Sequence, residues 1–514
     1  MRAFVLLASI CCGAVFAQTT AHAEAAADLV WPTQQWQTAT PEEQGMDSAA
    51  LARLVTFGTT RSFDSLLIAR HGRIVLDAYK APYSADIPHA IKSSTKAIVG
   101  TLTAIAYRDG LLDRFDHQML DFFPDRSIAN VDDRKKAITI QNLLDMTSGI
   151  EWEEGISGGR EQSLIDLGRS ANQVQFILDR PMAKAPGEVF YYDSGNPHLL
   201  SAILTKLTGM TARDYAIAKL FGPLGISTSS WRQDAQGLST GGGGLALLPR
   251  DMAKIGYLYL RNGEWEGKQL LPPAWIERVN HATVNMIASF EPDLRYSNFF
   301  WAIPEKHVYM AVGYHCQVIM VMPEQDIVAV MTARNFCPFG RMTDFISGAV
   351  KSEAALPPDS ASADLLTKAI HEVSTETPIS AGAAPEAAAA ISGKTYKFPD
   401  NALGIRSLSL TLAGPNPGYE LEIANRSRAG SPTRVSGPIG LDGTYRKSTP
   451  TELGIIAVKG AWLDAHRFLI DAQYVGAGEQ RQWALSFDGQ QLTLGGKARD
   501  GHEVSIESEA PGSH

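Results

Sequence analysis

The chain has 514 residues, 45% of them hydrophobic and 20% charged, and a net charge of −9. Such a composition is ordinary for a folded globular protein, and an acidic balance without basic blocks argues against nucleic acid and anionic membrane surfaces as partners. Neither metal nor cofactor is expected, because no cysteine/histidine cluster has zinc-site spacing and no nucleotide-type glycine loop follows a strand.

Met1-Arg2 followed by the apolar and small residues Ala3 to Ala17 reads as a secretory leader, residues 1–23, with cleavage after Ala23 or after Ala17. The run is too short to cross a bilayer, and no later stretch qualifies. Lipidation at Cys11 or Cys12 is disfavoured by Ile10 in front of them. The chain beyond the leader exceeds what one core usually serves, so two domains are expected. The expected divisions are a main domain over 24–354, a helix and Ala/Pro-rich linker over 355–390, and a β-rich accessory domain over 391–510.

Asp47 to Thr56 suggests a short helix begun by Asp47 or Ser48. Ser65 to Arg70, the turn His71-Gly72 and Arg73 to Tyr79 form a predicted hairpin. Next comes His89-Ala90-Ile91-Lys92-Ser93-Ser94-Thr95-Lys96, with Ile98, Val99, Leu102 and Ile105 at helical spacing behind it. Ser93 and Lys96 then share one helix face. A serine hydroxyl is a poor nucleophile until a neighbour takes its proton, which a desolvated lysine can do. The plainer alternative is a helix-capping serine and a solvated lysine.

Ile138 to Ile150 reads as a capped helix ended by glycine. Pro186 to Asn196 is a turn-rich loop leading into an apolar helix, Leu199 to Leu207. The glycine run Gly241 to Gly244 precedes a helical segment from Pro249 to Arg261. Val308 to Gly313, Cys316 to Met322 and Ile327 to Thr332 are predicted strands, the last two joined by a turn at Pro323 to Asp326, and a helix ends near Ala354. An early hairpin, a helical middle and late antiparallel strands imply an α+β domain whose sheet is closed by both ends of the segment. Thr377 to Ala390 has the composition of a linker. Beyond it, Leu408 to Leu412, Tyr419 to Ile423, Gly454 to Val458 and Trp483 to Phe487 alternate like strands of an all-β, barrel-like unit.

The order Ser93-x-x-Lys96, Leu-Leu-x-x-Thr-Ser-Gly at 143–149, Pro186-Gly187 before Tyr192, and a Gly-rich entry to Asp251-Met252-Ala253-Lys254 resembles the β-lactamase-related serine hydrolases. These include class C β-lactamases, D-alanyl-D-alanine peptidases, family VIII esterases and 6-aminohexanoate-dimer hydrolases, and the likeness covers roughly residues 40 to 350. The resemblance implies a β-lactamase/transpeptidase-like fold, Ser93 as the acylated nucleophile, and Lys96 with Tyr192 as its proton-transfer pair. It also implies an oxyanion hole from the backbone amides of Ser93 and Cys316.

Three positions depart from the lactamase pattern. Ser194 replaces the asparagine two places after the tyrosine. Gly313-Tyr314-His315 replaces the Lys-Thr-Gly type of motif, leaving no lysine for a substrate carboxylate. His315 also stands where a small glycine usually precedes the oxyanion residue, in an alignment that allows a slip of one. Ser194, Gly313, Tyr314 and His315 are therefore candidate substrate-binding residues, and the pattern lies nearer the aminohexanoate-dimer-hydrolase branch. His315 reads equally as a group that meets the leaving group or Tyr192 and as a strand histidine satisfied by backbone. His198 reads as structural, and Glu151 and Glu153 as solvated loop charges.

The expected activity is hydrolysis of a small ester, amide or peptide by an exported serine hydrolase. The alternatives are a β-lactamase or D-alanyl-D-alanine carboxypeptidase, and a non-catalytic binding module of the same fold. Cys316 and Cys337 are the cysteines left after leader removal and are expected to form a disulfide, because the turn at 323–326 folds one strand back toward the other.

Overall fold

The computed structural model describes residues 29–509, apart from 156–160, 228, 287–292, 381–384, 425–431, 452 and 498–501. The expected leader, residues 1–23, lies outside the described residues, as do Ala383 and Ala384 of the expected linker.

The hairpin foreseen around His71-Gly72 is formed by Phe63–Arg70 and Arg73–Tyr79, with both turn residues at positive φ. Its first strand pairs antiparallel with Ile327–Ala333, from Ile327 opposite Arg70 to Thr332 opposite Ser65. The Ser65 and Thr332 hydroxyls meet at 2.7 Å across that seam. Beyond it the sheet continues through Gln317–Met322, Val308–Gly313, Phe300–Ile303 and shorter strands to a total of nine. N- and C-terminal parts of the segment thus share one sheet, as the strand order implied.

Every residue of Phe63–Arg70, Val308–Gly313, Gln317–Met322 and Ile327–Ala333 is buried, so these strands read as apolar runs rather than alternating patterns. Helices cover both faces. Val328 meets Gly256 of the Pro249–Leu260 helix, where an added Cβ would stand 2.6 Å from Val328 Cγ1. Met331, of opposite parity, lines a small apolar cavity with Gly58 and Met342 from the helices Ser48–Thr59 and Phe339–Ala349. Asp47 caps the first of these, its carboxylate accepting from Ala49 N at 2.8 Å and Ala50 N at 3.2 Å. The Ser94–Arg108 helix is buried from Ser94 through Ala106, which is why its sequence shows no polar stripe.

The segment expected as helix and linker is mostly ordered against its neighbours. Ser360–Ser374 is a helix packed on Ser48–Thr59. Ile379 N donates to Asp442 O at 2.8 Å, and Ala388 and Ile391 of a further short helix enter the second core.

From Lys394 onward the chain is all β, but among the described residues its strand pairing does not close a barrel. It forms two open antiparallel sheets, four strands over 394–438 and six over 446–507. Leu408, Leu410 and Leu421 of one meet Phe468, Ile470, Leu485 and Leu494 of the other in a shared core, so face-to-face packing does what closure was expected to do. No helix among the described residues is long and apolar enough to cross a membrane.

Candidate active site

Ser93 stands at the N-cap of the Ser94–Arg108 helix, with φ −69° and ψ −12° and no capping bond from its side chain. Its Oγ instead accepts from Lys96 Nζ at 2.9 Å. Lys96 is only 1% exposed. Its ammonium also donates to Gly242 O at 2.9 Å and lies 4.7 Å from the centre of the Tyr192 ring. Two acceptors and a π face offset part of the cost of burying that charge. The capping-serine, solvated-lysine alternative does not describe this pair.

The lysine's second acceptor depends on the glycine run. A Cβ on Gly241 would fall 2.0 Å from Pro197 O, and one on Gly242 would fall 2.9 Å from Ser194 Cβ, so only glycines let this loop lie against the start of the Gly195–Thr208 helix. His198 holds the loop there: Nδ1 accepts from Gly241 N at 3.3 Å while Nε2 faces Asp234 Oδ2 at 3.1 Å. These contacts agree with the structural reading of His198.

Tyr192 is 9% exposed and arrives on a loop clamped by the Thr-Ser-Gly turn. Tyr191 N donates to Met146 O and Gly187 N to Thr147 O, each at 2.8 Å. Gly149, at φ 75°, passes so close to Lys184 that a Cβ would meet its carbonyl oxygen at 2.4 Å. Ser194, expected to face substrate, is turned inward. Its Oγ donates to Glu154 Oε1 at 2.6 Å and its N–H to Glu154 Oε2 at 2.8 Å, an oxygen that Trp152 Nε1 also meets at 2.8 Å. Glu154 is buried, whereas Glu151 is exposed and pairs with Arg180, and Glu153 is exposed. Sequence reasoning passed over Glu154 because no spacing distinguishes it from its two acidic neighbours. Next to it, Asp193 is fully enclosed and accepts from Gly195 N at 2.6 Å. Burial, and then the charge of Glu154, push the Asp193 carboxyl up to about 8.

On the opposite wall, Ser94 Oγ donates to Gln317 O at 2.7 Å, tying the residue after Ser93 to the residue after Cys316. Gly313 packs on Ile91, where a Cβ would meet the carbonyl oxygen at 2.2 Å. Tyr314, His315 and Cys316 connect the strands as a tight turn, with φ 59° at His315 and 67° at Cys316. Cys316 was expected to begin the second strand, which instead starts at Gln317. The half-buried His315 ring stacks on exposed Tyr314 at 3.8 Å, and Phe336 stands edge-on to both. Burial, then the charge of Lys92, holds the imidazole below the usual histidine range. Cys316 and Cys337 are disulfide-bonded, with Cα atoms 5.0 Å apart.

The beta-lactamase family profile matches residues 51–344, more than half of the chain. The chain belongs to the beta-lactamase family. It is a serine hydrolase of that family, with the β-lactamase/transpeptidase-like sheet and helices just described and extra C-terminal β-sheets. It is similar to the 6-aminohexanoate-dimer hydrolase of Paenarthrobacter ureafaciens, 22% identical over 284 residues, which span 52% of this chain and 71% of that one. Among solved structures, a Bacillus anthracis protein provisionally named a 6-aminohexanoate-dimer hydrolase matches with a TM-score of 0.50 and 19% identity, over 66% of this chain and 89% of that one. EstCE1, described as a hydrolase with promiscuous acyltransferase activity, matches with a TM-score of 0.50 and 17% identity, over 59% of this chain and 99% of that one. At such identities the two structures speak for the fold alone.

Proposed function

We propose that the chain is an exported hydrolase that cleaves an amide or ester bond through an acyl-enzyme on Ser93. The observation that carries this reading is the 2.9 Å hydrogen bond from buried Lys96 Nζ to Ser93 Oγ. Ser93 Oγ attacks the substrate carbonyl carbon while its proton passes to the Lys96/Tyr192 pair. The oxyanion so formed is held by the N–H groups of Ser93 and Cys316. The carbonyl bond to nitrogen or oxygen then breaks, and the pair returns the proton to the departing amine or alcohol. Water attacks the acyl carbon, giving one proton to the same pair, and Ser93 recovers its proton as the acid leaves.

The substrate we propose is a small ester or linear amide without a carboxylate beside the scissile bond. Gly313-Tyr314-His315 offers no lysine to such a carboxylate, and the exposed Tyr314 and Phe336 rings present an apolar rim. The name of the relative from Paenarthrobacter ureafaciens, a 6-aminohexanoate-dimer hydrolase, supports hydrolysis of a linear amide. Export is supported by the apolar leader and by the Cys316–Cys337 disulfide, a bond that persists in oxidising compartments.

A hydrolysis panel of p-nitrophenyl esters, short amides, nitrocefin and D-alanyl peptides tests the assignment. Short-chain esters should exceed nitrocefin in kcat/KM. Nitrocefin as the better substrate by that measure overturns the proposed substrate class and favours a β-lactamase.

A further inference from the structure

The segment that delivers Ser93 is held by backbone from three directions. Ile91 N donates to Leu245 O at 2.9 Å, and Gly313 lies against Ile91 O on a second side. The third contact comes from the C-terminal β sheets, almost four hundred residues downstream: Ala90 N donates to Gly476 O at 2.6 Å. Gly476 sits in the turn between Arg467–Val475 and Glu479–Asp488, at φ 87°. A Cβ there would stand 2.3 Å from Pro88 O, a backbone atom that cannot swing aside. Two residues on, a Cβ added at Gly478 would stand 3.6 Å from Ala333 O and 3.7 Å from Gln317 Nε2.

The turn's last residue, Glu479, places its carboxylate 3.9 Å from Lys92 Nζ and 3.5 Å from Arg481. Lys92 immediately precedes Ser93 and holds φ 50°, a left-handed conformation that a residue with a side chain keeps only where its surroundings fix it. Its carbonyl accepts from Thr95 Oγ1 at 2.7 Å, on the first turn of the Ser93 helix. An apolar contact of Tyr83 and Ile87 with Ala457 and Val475 seats the turn against the arm, and Arg334 Nη1 donates to Gln480 Oε1 at 2.8 Å beside it.

We propose that the Gly476–Glu479 turn is a working part of the active site: it fixes the 88–92 arm, with Glu479 acting through Lys92 as a positioning residue for Ser93. The inference rests on the reading of Ser93 as nucleophile. It gives the C-terminal sheets a role in catalysis, since a reacting oxygen displaced by about 1 Å loses on the order of a hundredfold in rate.

The test uses the full chain and measures the rate of fluorophosphonate labelling, with kcat and KM for p-nitrophenyl butyrate. In Glu479→Gln, labelling and kcat fall about threefold to tenfold while KM stays within about twofold, and Glu479→Asp recovers part of the loss. Glu479→Gln combined with Lys92→Gln costs no more than the larger single loss, because the two act as one unit. Gly476→Ala loses more than about tenfold; if that variant does not fold, Glu479→Gln, which adds no bulk, decides. Wild-type labelling and kcat in Glu479→Gln, or losses that multiply in the double variant, overturn the proposal. Absence of labelling at Ser93 in the wild type would instead overturn the nucleophile assignment, so the two failures are told apart.

Discussion

Lys96 Nζ donates to both Ser93 Oγ and Gly242 O, with the Tyr192 ring beside it, and in the mechanism we propose Lys96 and Tyr192 together exchange the proton of Ser93. Removing the tyrosine oxygen in Tyr192→Phe keeps the ring and should lower the acylation rate by about a hundredfold. Lys96→Ala should cost at least as much, since it removes donor and charge together. Pre-steady-state acylation of a p-nitrophenyl ester measures both, and an unchanged rate in Tyr192→Phe moves the base role to Lys96 alone or to His315. Behind the tyrosine, Asp193 gives a second check. Its folded carboxyl titrates at about 8, well above the unfolded range, so between about pH 4 and 8 the folded chain binds the extra proton. Its contribution to stability therefore falls as pH rises through that window. Asp193→Asn removes the titration, so the variant should gain melting temperature relative to wild type between pH 5 and pH 8. A difference between the two proteins that does not change with pH would mean that Asp193 is not held protonated.

The hairpin at 63–79, the Ser93 helix and the three late strands were legible because apolar spacing and turn residues coincide there, whereas the helix read through Thr147-Ser148-Gly149 stops at Leu144. The strands Thr433–Pro438, Arg467–Val475, Gln491–Lys497 and Glu503–Glu507 were not singled out, since partly exposed strands bordered by polar turns give a weak periodic signal. That Ser93, Lys96 and Tyr192 lie side by side was legible from motif order, and their catalytic roles remain our proposal. The inward turn of Ser194 onto Glu154 was not, because it depends on which loop charge the fold buries. The strand–turn–strand unit carrying Cys316 and Cys337 lies between these cases, its pairing foreseen from the turn at 323–326 and present as a disulfide. Closing a loop of that size contributes about 3 kcal/mol in the chain-entropy picture. Reduction should therefore lower the melting temperature, and it should lower kcat as well if the bond fixes the direction of the Cys316 amide. An unchanged kcat after reduction verified by thiol alkylation would leave the disulfide a purely structural bond.

Over the whole molecule, a small apolar cluster of Tyr83 and Ile87 with Ala457 and Val475, separate from the two large cores, lies beside the arm leading to Ser93. The division into a main domain over 24–354 and an accessory domain over 391–510 remains our proposal. Of the segment between them, Leu366 packs in the first core and Ala388 in the second. In the mechanism we propose, catalysis comes down to one covalent bond. Full-chain protein is trapped with a fluorophosphonate, digested and mapped by tandem mass spectrometry alongside Ser93→Ala. The adduct should sit on Ser93, and Ser93→Ala should keep its fold while losing the label and all but about one per cent of esterase turnover. A label on another residue, or undiminished turnover in Ser93→Ala, would contradict the acyl-enzyme assigned to Ser93.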